Sequence, residues 1–235
     1  MSSQFERTEL LIGKEGVAKL AKARIAVFGI GGVGGYAVEA LARSGVGSIA
    51  LFDSDAICLS NLNRQIIATH KTIGRYKVDV SKERILDINP QAVVEACRIF
   101  YSHENSNDID LSVYDYVIDA IDTVSSKVEL ILKAKEAKVP IISSMGAGNK
   151  MDPSAFLVDD IYKTSVCPLA KVMRKELKDR GVENLKVIYS KEPPIKHGGE
   201  DTAGSARPVP GSNAFVPPAA GLVIASEVIK DIINK

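Results

Sequence analysis

The run Gly29-Ile30-Gly31-Gly32-Val33-Gly34-Gly35 follows an apolar stretch, ARIAVF, and opens a segment with helical spacing, YAVEALARSGV. Absent side chains let a backbone approach a phosphate closely, and a helix N-terminus supplies N–H donors and a partial positive charge. Gly29, Gly31, Gly32 and Gly34 are therefore candidates to cradle phosphates. Asp53 ends the next apolar run, 24 residues after Gly29, where a carboxylate accepts hydrogen bonds from ribose hydroxyls. Glycines and acid together indicate a nucleotide, and by themselves they favour NAD. Three stretches downstream change that reading: Asp53-Ser54-Asp55, Ser60-Asn61-Leu62-Asn63-Arg64-Gln65 and Gly74-Arg75-Tyr76-Lys77. A triphosphate attacked at its α-phosphorus carries more charge than a pyrophosphate held by backbone amides, and its leaving group needs cations. Arg64 and Lys77 supply them. Asp122, closing YDYVIDAID, stands at a strand's carboxyl edge, where it can take a Mg²⁺ that bridges phosphate oxygens. Singly, Arg64 and Lys77 are ordinary helix charges and Asp122 an ordinary N-cap; as an ordered set they describe an ATP site.

The elements that must position these residues follow from periodicity. ARIAVFGI, YAVEALARSGV and SIALFDSD form a strand, helix, strand unit. The pattern continues with a helix over 75–88, strands over 92–100 and 114–121, a helix over 124–137 and a strand over 140–144. Such alternation predicts an α/β fold, a Rossmann-like, mostly parallel sheet with helices on both faces, with ligands beyond the carboxyl ends of the strands. After residue 145 the alternation weakens. FLVDDIY, a charged helix over 168–181 and LKVIYS precede a Pro/Gly-rich stretch, 191–218, and a final apolar helix over 219–233. The stretch is expected to be a flexible crossover or lid loop.

Composition narrows the classes. The 235 residues are 46% hydrophobic and 25% charged with a formal net charge of +1, which excludes a mainly disordered chain and gives no global field for nucleic acid or membrane. The chain is expected to be one domain, with a nucleotide-binding half over 1–150 and a substrate-side half over 151–235. No run is long and apolar enough to span a bilayer and the first residues do not form a targeting signal, so a cytoplasmic protein without membrane contact is expected. Cys58, Cys97 and Cys167 form no C-x-x-C pair, against both disulfides and structural zinc; each is expected to be a small packing residue.

GIGGVGG, D-x-D, SNLNRQ, the lysine of GRYK and DAID, in this order, resemble the adenylation domain of the ubiquitin-activating-enzyme-like superfamily over almost the whole chain. The resemblance implies that Gly31 and Gly32 lie against phosphates, that Asp53 binds ribose, that Asn61, Arg64 and Lys77 contact the triphosphate, and that Asp122 holds Mg²⁺. Asp55 and Gln65 join the nucleotide contacts. It also implies a homodimer, with Arg7 in FERTELLIG reaching the partner's ATP site, so that Arg7, Arg64, Lys77 and Asp122 form the catalytic set. The superfamily reaction is attack of a carboxylate on the α-phosphorus of ATP, giving an acyl adenylate and pyrophosphate.

SSMGAGNKMDP, DDIYKTSVCPLAKVMRKELK and GSNAFVPPAAGLVIASEVIK are similar to a narrower branch, the tRNA threonylcarbamoyladenosine dehydratases. That likeness implies ATP-dependent cyclisation of N6-threonylcarbamoyladenosine in tRNA, with no enzyme cysteine required. Six basic residues between 163 and 180 (Lys163, Lys171, Arg174, Lys175, Lys178 and Arg180) and, in the loop, Lys191, Lys196, His197 and Arg207 would meet tRNA phosphates. A monovalent cation and a sulfur-acceptor protein stay open as further partners. The alternatives are adenylation of the C-terminal glycine of a small ubiquitin-like or sulfur-carrier protein, and an NAD-dependent oxidoreductase or nucleotide sensor, which leaves Arg64, Lys77 and Asp122 unexplained.

Overall fold

The computed structural model describes residues 4–196 and 210–234. Seven strands form one sheet in the order β3-β2-β1-β4-β5-β7-β6. They are β1 (Arg24–Phe28), β2 (Ser48–Phe52), β3 (Val93–Cys97), β4 (Tyr116–Asp119), β5 (Ile141–Ser144), β6 (Phe156–Asp160) and β7 (Lys186–Ser190). All neighbours run parallel except β6 on β7.

The central strands must be apolar on both faces, because helices cover both. Ile25 and Val27 of β1 enter one core with Leu41, Ile224 and Val228, while Ala26 and Phe28 enter the other with Ile131, Met173 and Leu177. Each such Leu, Ile or Phe, fully buried, contributes about 1.5–3 kcal/mol. The first core lies under α1 (Glu6–Lys22), α2 (Gly34–Arg43), α3 (Lys77–Ile88) and α6 (Val216–Ile233); the second lies under α4 (Val124–Glu136) and α5 (Pro168–Lys178).

Several expected boundaries shift. The strands expected over 92–100 and 114–121 pair only over Val93–Cys97 and Tyr116–Asp119. The helix expected from 75 begins at Lys77, after Tyr76 in extended conformation. α1 was not indicated by periodicity: Gly13, at φ 73°, interrupts it, and Gly16 and Leu20 are its only buried residues. The loop expected over 191–218 ends at Phe215, because Pro217 and Pro218 sit in the first turn of α6, where a missing N–H costs nothing. Of that loop, His197 and Arg207 lie outside the described residues.

Candidate functional site: a nucleotide cavity at the β1/β4 edge

The strand order reverses between β1 and β4, and the crevice at such a switch point is where α/β sheets bind ligands. The glycine turn begins there. Gly29 has φ 88°, and a Cβ on it would lie 2.6 Å from the Ala120 carbonyl oxygen; a Cβ on Gly34 would lie 1.8 Å from that of Gly29. The turn must therefore be glycine for the end of β1 to approach both β4 and α2. No side chain caps the first turn of α2.

Asp53, directly after β2, clasps this turn: its Oδ2 accepts from the Ile30 amide at 2.7 Å and its Oδ1 from the Asp55 amide at 2.8 Å. Lys77 is the first residue of α3 and is buried. The helix dipole opposes a cation at that end, and two carboxylates offset it: Lys77 Nζ lies 2.5 Å from Asp55 Oδ2 and 3.7 Å from Asp53 Oδ1. Asn61 closes a 3-10 helix, Leu59–Asn61, and its Oδ1 accepts from the Cys58 amide at 3.1 Å. Arg64 donates to the Ser60 carbonyl at 2.9 Å and to Asn63 Oδ1 at 3.0 Å, two neutral acceptors that an anion can replace.

These residues surround one cavity of about 440 Å³, within the range of small-ligand sites. Gly29, Gly31, Gly32, Asp53, Asp55, Asn61, Arg64, Gln65, Lys77 and Asp122 all line it. Gly34 does not; its part is close packing. Arg7 does not line it either, and is exposed on α1. Phe28, Phe52, Phe100 and Tyr101 form an aromatic wall, in which Phe28 stacks on Phe52 at 4.3 Å and meets Tyr101 edge-on at 5.0 Å. Pro210, Gly211, Ser212 and Pro217 line it as well, held by Asn63 Nδ2 to the Ser212 carbonyl at 3.0 Å and by the Gly211 amide to Asn149 Oδ1 at 2.6 Å. The flap falls within the stretch 191–218 expected to form a lid loop, whereas the aromatic wall was not singled out from the sequence.

Asp122 fits a hard cation. It is exposed, the N-cap of α4 is Thr123, and its carboxylate accepts only a 3.3 Å bond from the Thr123 hydroxyl among the contacts described. Mg²⁺ is commonly bound through one or two carboxylates together with phosphate oxygens, a donor set that Asp122 at the cavity edge can begin. Beneath it lies a pairing that the sequence did not disclose: Asp119, the first residue of DAID, and Lys127, both wholly buried, pair at 2.8 Å, and Ser143 donates to Asp119 at 2.5 Å. Lys127 does carry a signal, since it shares the apolar stripe of α4 with Val124, Val128 and Ile131.

Other expectations divide. Lys171, Lys175 and Lys178 are exposed on α5, but Arg174 is turned onto the Thr164 carbonyl at 3.0 Å, Arg180 pairs with Glu176 at 2.8 Å and Lys163 with Asp159 at 3.5 Å. Cys167 is buried, as a packing residue should be, but Cys58 is exposed, and a hydrogen bond with Ser60 lowers its thiol pKa. No helix among the described residues is long and apolar enough to cross a membrane.

The family model described as ThiF matches residues 5–235. The chain belongs to the ThiF family. Within it, the full-length likeness is to the tRNA threonylcarbamoyladenosine dehydratases: that of Bacillus subtilis is 46% identical, over 100% of this chain and 96% of that protein. The crystal structure of the Escherichia coli tRNA N6-threonylcarbamoyladenosine dehydratase with AMP superposes with a TM-score of 0.90 at 35% identity, covering 98% of this chain and 94% of that one. Its ATP complex gives 0.87 at 34%, with the same coverage. The ThiF-family fold thus extends through α6, the helix that carries Pro217 to the cavity.

Proposed function

We propose that the chain uses ATP to adenylate the threonyl carboxylate of N6-threonylcarbamoyladenosine in tRNA, after which an internal nitrogen of the same nucleoside displaces AMP and closes a ring with net loss of water. The observation that carries this reading is the single cavity that gathers Gly31, Gly32, Asp53, Arg64, Lys77 and Asp122, in a chain similar along its whole length to such dehydratases.

Asp53, already fixed by the Ile30 and Asp55 amides, keeps lone pairs for ribose hydroxyls. The aromatic wall offers the base a desolvated face. Arg64 and Lys77 stabilise charge that develops on pyrophosphate as the carboxylate oxygen bonds to the α-phosphorus. Asp122 would hold Mg²⁺, which neutralises phosphate oxygens when bound. The flap around Gly211 and Ser212 excludes water from an adenylate that must await an internal nucleophile.

The chain is one adenylation unit that acts as a cytoplasmic homodimer, with Arg7 completing the partner's site; Leu10 and Leu11, beside Arg7 on α1, are 83% and 87% exposed, a surface that a second copy would cover. Lys171, Lys175 and Lys178 would meet tRNA phosphates. Adenylation of a small protein's C-terminal glycine has less support, because the zinc-binding cysteine pairs usual in such enzymes are absent.

The test is mass spectrometry of nucleosides from tRNA carrying threonylcarbamoyladenosine, incubated with protein and Mg-ATP. A nucleoside lighter by one water is expected, with ATP converted to AMP and pyrophosphate. Unchanged nucleosides, with ATP consumed only when a small carrier protein is supplied, would overturn the reading.

A further inference from the structure

We propose that Lys127 is a positioning residue that sets the Asp122 carboxylate and the Ala147–Gly148 wall against each other, so that it tunes metal-dependent nucleotide binding from beneath the cavity. The proposal rests on Asp122 being the Mg²⁺ ligand.

Lys127 is 0% exposed, a state lysine almost never adopts unless its charge is matched. Each of its three N–H donors has an acceptor: Asp119 Oδ2 at 2.8 Å, the Ile121 carbonyl at 3.1 Å and the Ser144 carbonyl at 2.8 Å. Asp119 answers from the other side, its Oδ1 accepting from the Ile121 amide at 3.1 Å. Ile121 is therefore gripped at both its N–H and its C=O. The peptide plane that leads from Ile121 to Asp122 cannot rotate without breaking the bond to Lys127, and that plane sets where the Asp122 side chain leaves the backbone. The Ser144 carbonyl ends β5 and opens the turn that brings Ala147 and Gly148 to the cavity. One ammonium thus joins the two loops beyond the carboxyl ends of β4 and β5.

Stability alone does not account for this group. A buried ion pair often contributes no more than apolar side chains of the same volume, because both charges must be stripped of water. An apolar residue would fill the space but leave two carbonyls without donors and the Asp122 peptide free to tilt. What the lysine adds is placement. Support of this kind behind a metal-binding carboxylate is worth about 10–100-fold in metal affinity.

Calorimetric titration of ATP across a Mg²⁺ series reads the effect without reference to turnover. Lys127→Met alone would strand a buried carboxylate, so the paired variant Asp119→Asn/Lys127→Met is used, with Lys127→Arg as a charge-preserving variant that displaces the donors. In both, any loss of metal-free ATP affinity through the Ala147–Gly148 wall should be smaller than the loss in the presence of Mg²⁺, and the Mg²⁺ needed for half-maximal tightening should rise, by about 10–100-fold in the paired variant and by less in Lys127→Arg. In an Asp122→Asn background neither change should move the Mg²⁺ response further. An unchanged Mg²⁺ requirement in whichever variant folds, equal losses with and without Mg²⁺, or losses that add to those of Asp122→Asn would overturn the proposal. If Asp122→Asn alone leaves the Mg²⁺ response intact, it is the ligand assignment that fails.

Discussion

The Lys77 ammonium sits 2.5 Å from Asp55 Oδ2 while Asp53 Oδ1 stands 3.7 Å away, so the cation proposed to meet a triphosphate is paired with carboxylates. Asp55 is 63% exposed in its side chain and Lys77 7%. Phosphate must displace a half-exposed pair worth up to about 1 kcal/mol. Asp55→Asn is therefore expected to tighten inorganic triphosphate binding about fivefold, and Lys77→Ala to abolish that gain. Calorimetry with both variants and their combination checks it. Lys77→Ala or Arg64→Ala should lower the adenylation rate by about 10²-fold or more, the scale of losing one preorganised donor.

Arg7 is exposed and absent from its own chain's cavity. If each site borrows it from a second copy, a dimer of one Arg7→Ala and one Lys77→Ala subunit has one intact site. Mixing the two inactive proteins should restore activity once subunit exchange is verified by mass. Exchange without recovery would show that Arg7 does not act across an interface.

The acyl adenylate needs no enzyme thiol when the nucleophile is tethered, because tethering supplies a high effective concentration. Cys58→Ser/Cys97→Ala/Cys167→Ala is expected to form the cyclic nucleoside at the parent rate. The exposure of Cys58 and its lowered pKa make this a sharp test. Loss of product with melting temperature and ATP affinity unchanged would point to a thioester step at Cys58.

Glu39 joins α2 to α3. Burial pushes its carboxyl pKa up, but hydrogen bonds from Arg84 at 2.6 Å and Arg43 at 2.8 Å outweigh burial and leave it below 4.5. A carboxyl lowered on folding contributes stability that is present above its unfolded value and is lost as pH falls through the folded one. Glu39→Gln should therefore cost about 1–2 kcal/mol at neutral pH, discounted for the exposed arginines. The gap to the parent should close as pH drops below 4.5. Thermal melts across that range report it.

How much of this was legible in advance depends on the range of the interactions involved. β1, β2 and α2 announce themselves, because a strand buried on both faces must be an unbroken apolar run and a phosphate-binding turn must lack side chains; the glycine run and Asp53 are therefore readable in order. Arg64, Lys77 and Asp122 stand out only as an ordered set, since each alone reads as an ordinary helix charge or N-cap, and the structure brings all three to one cavity. Tertiary structure alone decided that Lys77 is paired to Asp55, that Lys127 reaches the Ser144 carbonyl, and that Gly211 is held by Asn149 against the cavity. Those contacts join residues 22, 17 and 62 positions apart, and such distances close only when parallel strands fix the register of their loops. α1 escaped notice for the opposite reason: it buries only Gly16 and Leu20 and leaves Leu10 and Leu11 outside, so no apolar stripe marked it as a helix.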